Sequence, residues 1–416
     1  MGKNYKIPET LLFISRIIVG MVFIFSGFVK GIDPLGFTYK LQDYFTAFNL
    51  TFLKSSALPL SIILILAEFL VGISLFFKLR IRRGAWGSLV FMLIFTPLTL
   101  ILALTNPVTD CGCFGDAIVI TNWQTFWKNL VIIIFAIIVF LGRNNYRPSS
   151  HAITEWSILS AFGVFILGIN MYGLQNLPII DFRPYNVGSS IIEGMKIPED
   201  APQDEYKTTL IYEKDGIQKE FTEDNFPWQD SSWKFIDQNS ILVKEGYKPP
   251  LHDFNIYSNE GEEYTDIILS YPDYSFLLLS QNISKAKTEG IIRGNELALF
   301  CIQNDIPFYC ITASGEKELN KLQSEMELFF DFYNMDETTL KTIVRSNPGL
   351  VLIKEGVIIG KWAWEDIPEP EFLNQNMLSV QLSGFKKDRD LWRVIGVSMS
   401  LLLLLAVSKI LFKKKT

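Results

Sequence analysis

Six runs of apolar residues constrain this chain more than any other feature, because each is about as long as a helix must be to cross lipid. A hydrocarbon core of roughly 30 Å needs roughly 20 apolar residues in a helix. The runs extend from Leu11 to Val29, Leu58 to Phe77, Ala85 to Leu104, Trp123 to Leu141, Trp156 to Leu174 and Leu391 to Phe412. With 49% hydrophobic and 20% charged residues among 416, the chain is too apolar for an ordinary soluble enzyme. The first run is expected to stay as a span: it is long, contains Arg16 and lacks a small-residue cleavage site.

Lys and Arg in short loops resist translocation and so set orientation. They gather in Lys78-Leu79-Arg80-Ile81-Arg82-Arg83, at Arg143 and Arg147, at Lys3 and Lys6, and in Lys413 to Lys415. The expectation is a multi-pass protein of a bacterial inner membrane with both termini cytoplasmic. Alternation then puts Lys30 to Ala57, Thr105 to Asn122 and Gln175 to Asp390 outside. Lys386, Lys387 and Arg389 are discordant, and Asp388 and Asp390 dilute them.

The long external stretch is charged, Pro-containing and punctuated by turn signals such as Lys214-Asp215-Gly216 and Glu355-Gly356. Its first part has strand-like runs at Thr208 to Tyr212 and Ser240 to Lys244. From Phe254 onward strands alternate with helices: strand Ser275 to Ser280, helix Ser284 to Asn304, strand Pro307 to Thr312, helix Glu316 to Met326, strand Leu328 to Tyr333, helix Glu337 to Arg345. Two further strands, Gly349 to Lys354 and Val357 to Trp362, meet at a tight turn. Such alternation predicts an α/β layer with antiparallel edge strands.

This order resembles a periplasmic TlpA-like thioredoxin-like domain. In that family a cis-proline precedes the final hairpin, and Pro348 stands at the matching place. The Cys-x-x-Cys of the family is missing, since its position reads Ser280-Gln281-Asn282-Ile283-Ser284. Thiol–disulfide exchange requires a thiolate, so the domain is expected to be redox-dead at its own site. Cys301 and Cys310 lie in apolar surroundings and read as buried free thiols, with a helix-to-strand disulfide as the alternative.

A sharper signal is Asp110-Cys111-Gly112-Cys113-Phe114-Gly115-Asp116, on the side expected to be oxidising. Two cysteines separated by one glycine can close a small, readily exchanged ring. As a staple such a pair gains little, because the loop it closes is short. A four-helix core with Cys-Gly-Cys-Phe-Gly before its fourth helix resembles the MauE branch of the DoxX-like family. Arg16, Gly20, Phe23, Ser26-Gly27-Phe28-Val29-Lys30, Asp33-Pro34 and Tyr39-Lys40 agree with it over about residues 8 to 142. The resemblance implies disulfide formation in periplasmic proteins, with Cys111 and Cys113 as the redox pair and a thioredoxin-like partner, here fused into the same chain.

The expected organisation is therefore an α-helical membrane bundle over 1–150, a fifth span over 151–176, a connecting region over 177–253 and a degenerate thioredoxin-like domain over 254–370. A linker over 371–390 and a sixth span with a basic tail over 391–416 complete it. Glu68, deep in the second span, is a functional candidate, and Arg16 is expected to pair with it. Phe37, Leu41, Tyr44, Phe45 and Phe48 recur at helical spacing, with Lys40 and Asp43 opposite, so an amphipathic helix is expected near Cys111. It either packs or shields a quinone headgroup.

Two histidines, His151 and His252, argue against a His-rich metal centre. There is no glycine-rich phosphate loop after a strand and no basic, aromatic-interleaved patch, which leaves nucleotide and nucleic-acid binding unsupported. The reading is a membrane-bound thiol–disulfide redox protein acting on a periplasmic client. The alternative is a non-catalytic assembly scaffold whose redox-dead thioredoxin-like domain binds a partner. Cu(I) binding by the two thiolates is the weakest of the three.

Overall fold

A computed structural model of the chain describes residues 7–108, 110–146, 151–222, 225–244, 246–373 and 382–411. Lys3, Lys6, Arg147 and Lys413 to Lys415 lie outside the described residues, as do the side chains of Lys386 to Arg389.

The chain from Glu9 to Gln175 is mainly helical. Helix α1 (Glu9–Ile32) is followed at once by the short α2 (Pro34–Ala47), whose N-cap Asp33 accepts a hydrogen bond from Gly36 N at 2.9 Å. A 3₁₀ turn over Thr51–Ser56 leads into α3 (Ala57–Phe76), and α4 (Ile81–Thr105), α5 (Asn122–Leu141) and α6 (Ala152–Gln175) follow. Five of these helices are long and apolar enough to cross a membrane; α2 is not among them. Helices α1 and α3 run antiparallel with their backbones in contact. A Cβ on Gly20 would stand 2.9 Å from Phe76 N, one on Gly27 2.8 Å from Phe69 N, and one on Gly72 2.5 Å from Ile24 N. Small residues at such crossings let membrane helices approach closely.

The remainder is mixed α/β. A short α7 (Ile191–Met195) precedes a three-stranded antiparallel sheet of β1 (Glu205–Lys214), β2 (Ile217–Thr222) and β3 (Lys234–Lys244), ordered β2-β1-β3. Then come β4 (Tyr257–Ser258), α8 (Thr265–Leu269), β5 (Tyr274–Ser280), α9 (Thr288–Gln303), β6 (Phe308–Thr312), α10 (Glu316–Glu325), β7 (Asp331–Asn334), α11 (Glu337–Ile343), β8 (Gly349–Lys354) and β9 (Val357–Ala363). The second sheet is ordered β4-β7-β6-β5-β8-β9, with β5, β6 and β7 parallel and β4, β8 and β9 antiparallel to their neighbours. Both faces of this sheet are covered, which is why β5 and β8 are apolar along nearly their whole length.

Several expectations change in detail. The helix expected from Ser284 begins at Thr288, because Asn282 caps a separate 3₁₀ turn over Ile283–Lys285 and Ala286 is extended. The strand expected over Leu328 to Tyr333 lies at Asp331–Asn334. The expected linker over 371–390 is partly helical, since α12 (Pro370–Leu373) and the start of α13 (Leu382–Leu411) fall within it. Tyr172 on α6 donates to Asp390 at 2.8 Å and ties α13 to the bundle.

Candidate functional site

The loop between α4 and α5 holds the two closely spaced cysteines. An isolated bridge between Asp110 and Thr121 closes its base, and Asn122 Nδ2 donates to Asn106 Oδ1 at 2.9 Å and to Val108 O at 2.7 Å. Within it, Asp110 Oδ1 accepts from Gly112 N at 2.8 Å, and Gly112 adopts φ +61°, a conformation that side chains with Cβ rarely take. The chain thereby doubles back, and Cys111 and Cys113 are joined by a disulfide with Cα atoms 5.5 Å apart.

Helix α2 lies against this loop. Phe37, Leu41, Tyr44 and Phe45 are buried, while Lys40 Nζ pairs with Asp110 Oδ2 at 2.9 Å. The Tyr44 hydroxyl donates to Cys111 O, and Ser26 Oγ donates to Cys113 O at 2.6 Å. Burial pushes the Tyr44 phenol up, reinforced by Asp110 and Asp43, so it stays protonated as a donor.

Beneath the disulfide a cavity of about 80 Å³ enters the bundle, bordered by both cysteines, Lys30, Glu68, Lys128 and an aromatic wall of Phe91 and Phe95. Lys30 Nζ meets Glu68 Oε2 at 2.9 Å and stands 4.9 Å over the Phe37 ring. Lys128 Nζ stands 4.2 Å over the ring of Phe114. The expected Arg16 to Glu68 pair does not form. With Gly20 beside Phe76 and Gly27 beside Phe69, Glu68 faces the end of α1 that carries Lys30. Arg16 and Lys30 are separated by about 20 Å along the helix. Arg16 instead donates to the Leu75 and Phe76 carbonyls, at 2.5 Å each, and so caps the C-terminus of α3.

The α/β unit meets the bundle at the same place. The Asn347–Pro348 peptide is cis, and its loop is laced to the end of β5. Ser280 Oγ donates to Asn347 Oδ1 at 2.7 Å, Asn347 Nδ2 to Asn282 O at 2.9 Å, and Lys287 N to Asn347 O at 2.9 Å. Arg345, just before this loop, is buried with Nε 2.8 Å from Asp33 Oδ2 and Nη2 3.2 Å from Asp116 Oδ2. Tyr39 on α2 donates to Gln281 Oε1 at 3.3 Å, and Arg345 stacks 5.5 Å from its ring centroid. The end of the sheet bearing Gln281 and Pro348 thus abuts α2 and the Cys111–Cys113 loop.

A family model described as methylamine utilisation protein MauE matches residues 8–142, the segment that supplies α1 to α5 and the cysteine loop. Residues 8–142 are a MauE-family domain. A second model, a domain of unknown function (DUF8463), matches residues 206–245, which are the β1-β2-β3 sheet. No curated protein and no solved structure matches the chain.

Cys111, Cys113 and Glu68 come together around the cavity of the MauE domain, Arg16 lies apart, and Pro348 lies three residues beyond Arg345, which pairs with Asp116 after the loop. Cys301 and Cys310 are fully buried free thiols; burial pushes Cys301 up to about 12 and Cys310 higher still, which leaves them inert at neutral pH. Among the described residues no group of three or more His, Cys, Asp or Glu side chains could hold a metal ion. Sequence reasoning missed Lys128 and Arg345. Lys128 was legible as a charge inside the Trp123 to Leu141 run. Nothing local marks Arg345, whose two carboxylate partners are more than 200 residues away.

Proposed function

We propose that the protein is a membrane-bound thiol–disulfide redox protein that supports disulfide formation in, or electron transfer from, periplasmic proteins through Cys111 and Cys113. The observation that carries this reading is the disulfide itself, held at the junction between an intramembrane cavity and the docked end of the α/β unit. A client dithiol gives up two electrons and forms its own disulfide, while the Cys111–Cys113 bond opens to a dithiol. A two-electron acceptor of the membrane, of the quinone class, then takes the electrons and two protons and restores the bond.

In this reading the chain is a multi-pass protein of a bacterial inner membrane with cytoplasmic termini and the α/β unit in the periplasm. The unit is thioredoxin-like, as its sheet order and its cis-proline suggest. It holds the client without chemistry of its own, because Ser280 to Ser284 contain no cysteine.

Two measurements test this. The redox state of Cys111 and Cys113, read by acid-quenched alkylation and mass spectrometry, should be mostly oxidised during respiration and become reduced when respiration stops. Cys111→Ser should abolish client oxidation, since no other residue type replaces a thiolate. A variant with full function would leave the second reading, a non-catalytic assembly scaffold. That reading is favoured by the cysteine-free end of the α/β unit and by its buried Arg345 anchor.

A further inference from the structure

Around the Cys111–Cys113 loop the cations Lys30, Lys40 and Arg345 each have a carboxylate partner within ion-pair distance, and Lys128 does not. From α1, Lys30 is matched by Glu68 of α3 at 2.9 Å. From α2, Lys40 is matched by Asp110 of the loop at 2.9 Å, and Tyr44 is a neutral donor. Asp116 of the loop and Asp33 share Arg345 of the α/β unit. Helix α4 contributes Phe91, Phe95 and other uncharged side chains to the cavity wall. Lys128 of α5 borders the same cavity as both cysteines, and among the described residues it forms no ion pair. Its Nζ rests 4.2 Å over Phe114, the residue after Cys113. An aromatic face attracts a cation without neutralising it, and an ammonium inside a membrane span with no carboxylate in ion-pair contact is costly. On the wall of the cavity that both cysteines border, such a charge has a use that packing alone does not give it.

We propose that the Lys128 ammonium holds one thiol of the reduced Cys111–Cys113 pair as its thiolate. The proposal rests on the redox reading above and adds the group that controls it. Attack by a client thiolate on one sulfur breaks the Cys111–Cys113 bond, forms a mixed disulfide and leaves the other sulfur as a thiolate. Lys128 stabilises that charge by the same electrostatics that lower thiol pKa values beside cations. The second client thiol then attacks the mixed disulfide, closes the client's own disulfide and passes its proton to the pair. The pair ends as one thiol and one thiolate. Lys128 makes the sulfur a better leaving group and keeps the reduced pair ready for reoxidation.

The test uses the full chain in detergent, chemically reduced, with iodoacetamide alkylation of each cysteine followed by peptide mass spectrometry over about pH 5 to 10. In the wild type one cysteine of the pair should reach half-maximal rate about one unit or more below the ordinary thiol value of about 8.5. Lys128→Gln should move that midpoint upward by about one unit, slowing alkylation at neutral pH about tenfold, and Lys128→Arg should restore it. A Lys128→Gln profile identical to the wild type overturns the proposal. If that variant does not form the disulfide, Lys128→Met is read in its place with the same two outcomes. Because the profile is taken on chemically reduced protein, it is separate from cycling in cells. A Lys128-dependent profile with a pair that never cycles would sink the redox function alone.

Discussion

At the residue scale, Asp181 shows how a single buried carboxylate can hold two segments together. Its oxygens accept from Arg183 Nε at 2.7 Å and from Lys361 Nζ at 2.8 Å, and Lys361 also donates to Tyr185 O at 3.0 Å. The chain leaving α6 is thereby fixed to β9. Burial alone would raise the Asp181 carboxyl; Lys361 and Arg183 outweigh it and hold the group well below the usual carboxylate range. A depressed folded-state value contributes stability that is present above the unfolded value of about 3.9 and is lost as pH falls through the lower folded value. Asp181→Asn should destabilise the full chain by about 3–5 kcal/mol at neutral pH, since it leaves two buried cations short of a partner. In urea unfolding, the gap from wild type should narrow as pH falls below about 4. A gap that stays constant with pH would count against this assignment.

At the element scale, the α1–α3 crossing sets the geometry of the cavity. Gly27 lies between Ser26, which holds Cys113 O, and the turn that carries Lys30 toward Glu68. Gly27→Leu would drive a side chain into the Phe69 backbone and force the two helices apart. The expected cost is about 1–3 kcal/mol, seen as a lower melting temperature of the full chain in detergent. Unchanged melting would mean that this contact is not tight. The sequence marked these helices well because twenty consecutive apolar residues allow few other structures. It marked the strands less evenly. The edge strand β4 (Tyr257–Ser258) is only two residues long, too short for any alternation to register. Strand β2 (Ile217–Thr222) is mostly polar and exposed, so its pairing with β1 leaves no hydrophobic pattern to read.

At the scale of the whole molecule, Arg345 joins the membrane bundle to the α/β unit. It reaches Asp33, which also caps α2, and Asp116, which follows the cysteine loop, so one side chain sets the position of the cis-proline end against the disulfide. Arg345→Ala should loosen this junction by up to about 3–5 kcal/mol, less to the extent that Asp116, 45% exposed, is solvated without it. Hydrogen exchange should then speed up in α2 and in the segment from Ser280 to Lys287, while the β5–β8 core keeps its protection. Protection unchanged in both regions would show that other contacts hold the unit in place.

The sequence by itself determined five helices long and apolar enough to cross a membrane, the α/β alternation of the second half and the position of the cysteine loop. Each of these is written locally, as a run of apolar residues, a change of period or a turn built on Gly112. The tertiary structure decided which charges meet. Arg16 and Glu68 share adjacent helices and opposite sign, yet the antiparallel register of α1 and α3, set by glycine contacts, gives Glu68 to Lys30 and sends Arg16 to the end of α3. Likewise Arg345 finds its carboxylates only once the α/β unit folds back on the bundle. Pairing of charges depends on helix register and on long-range docking, and neither leaves a periodicity in the chain.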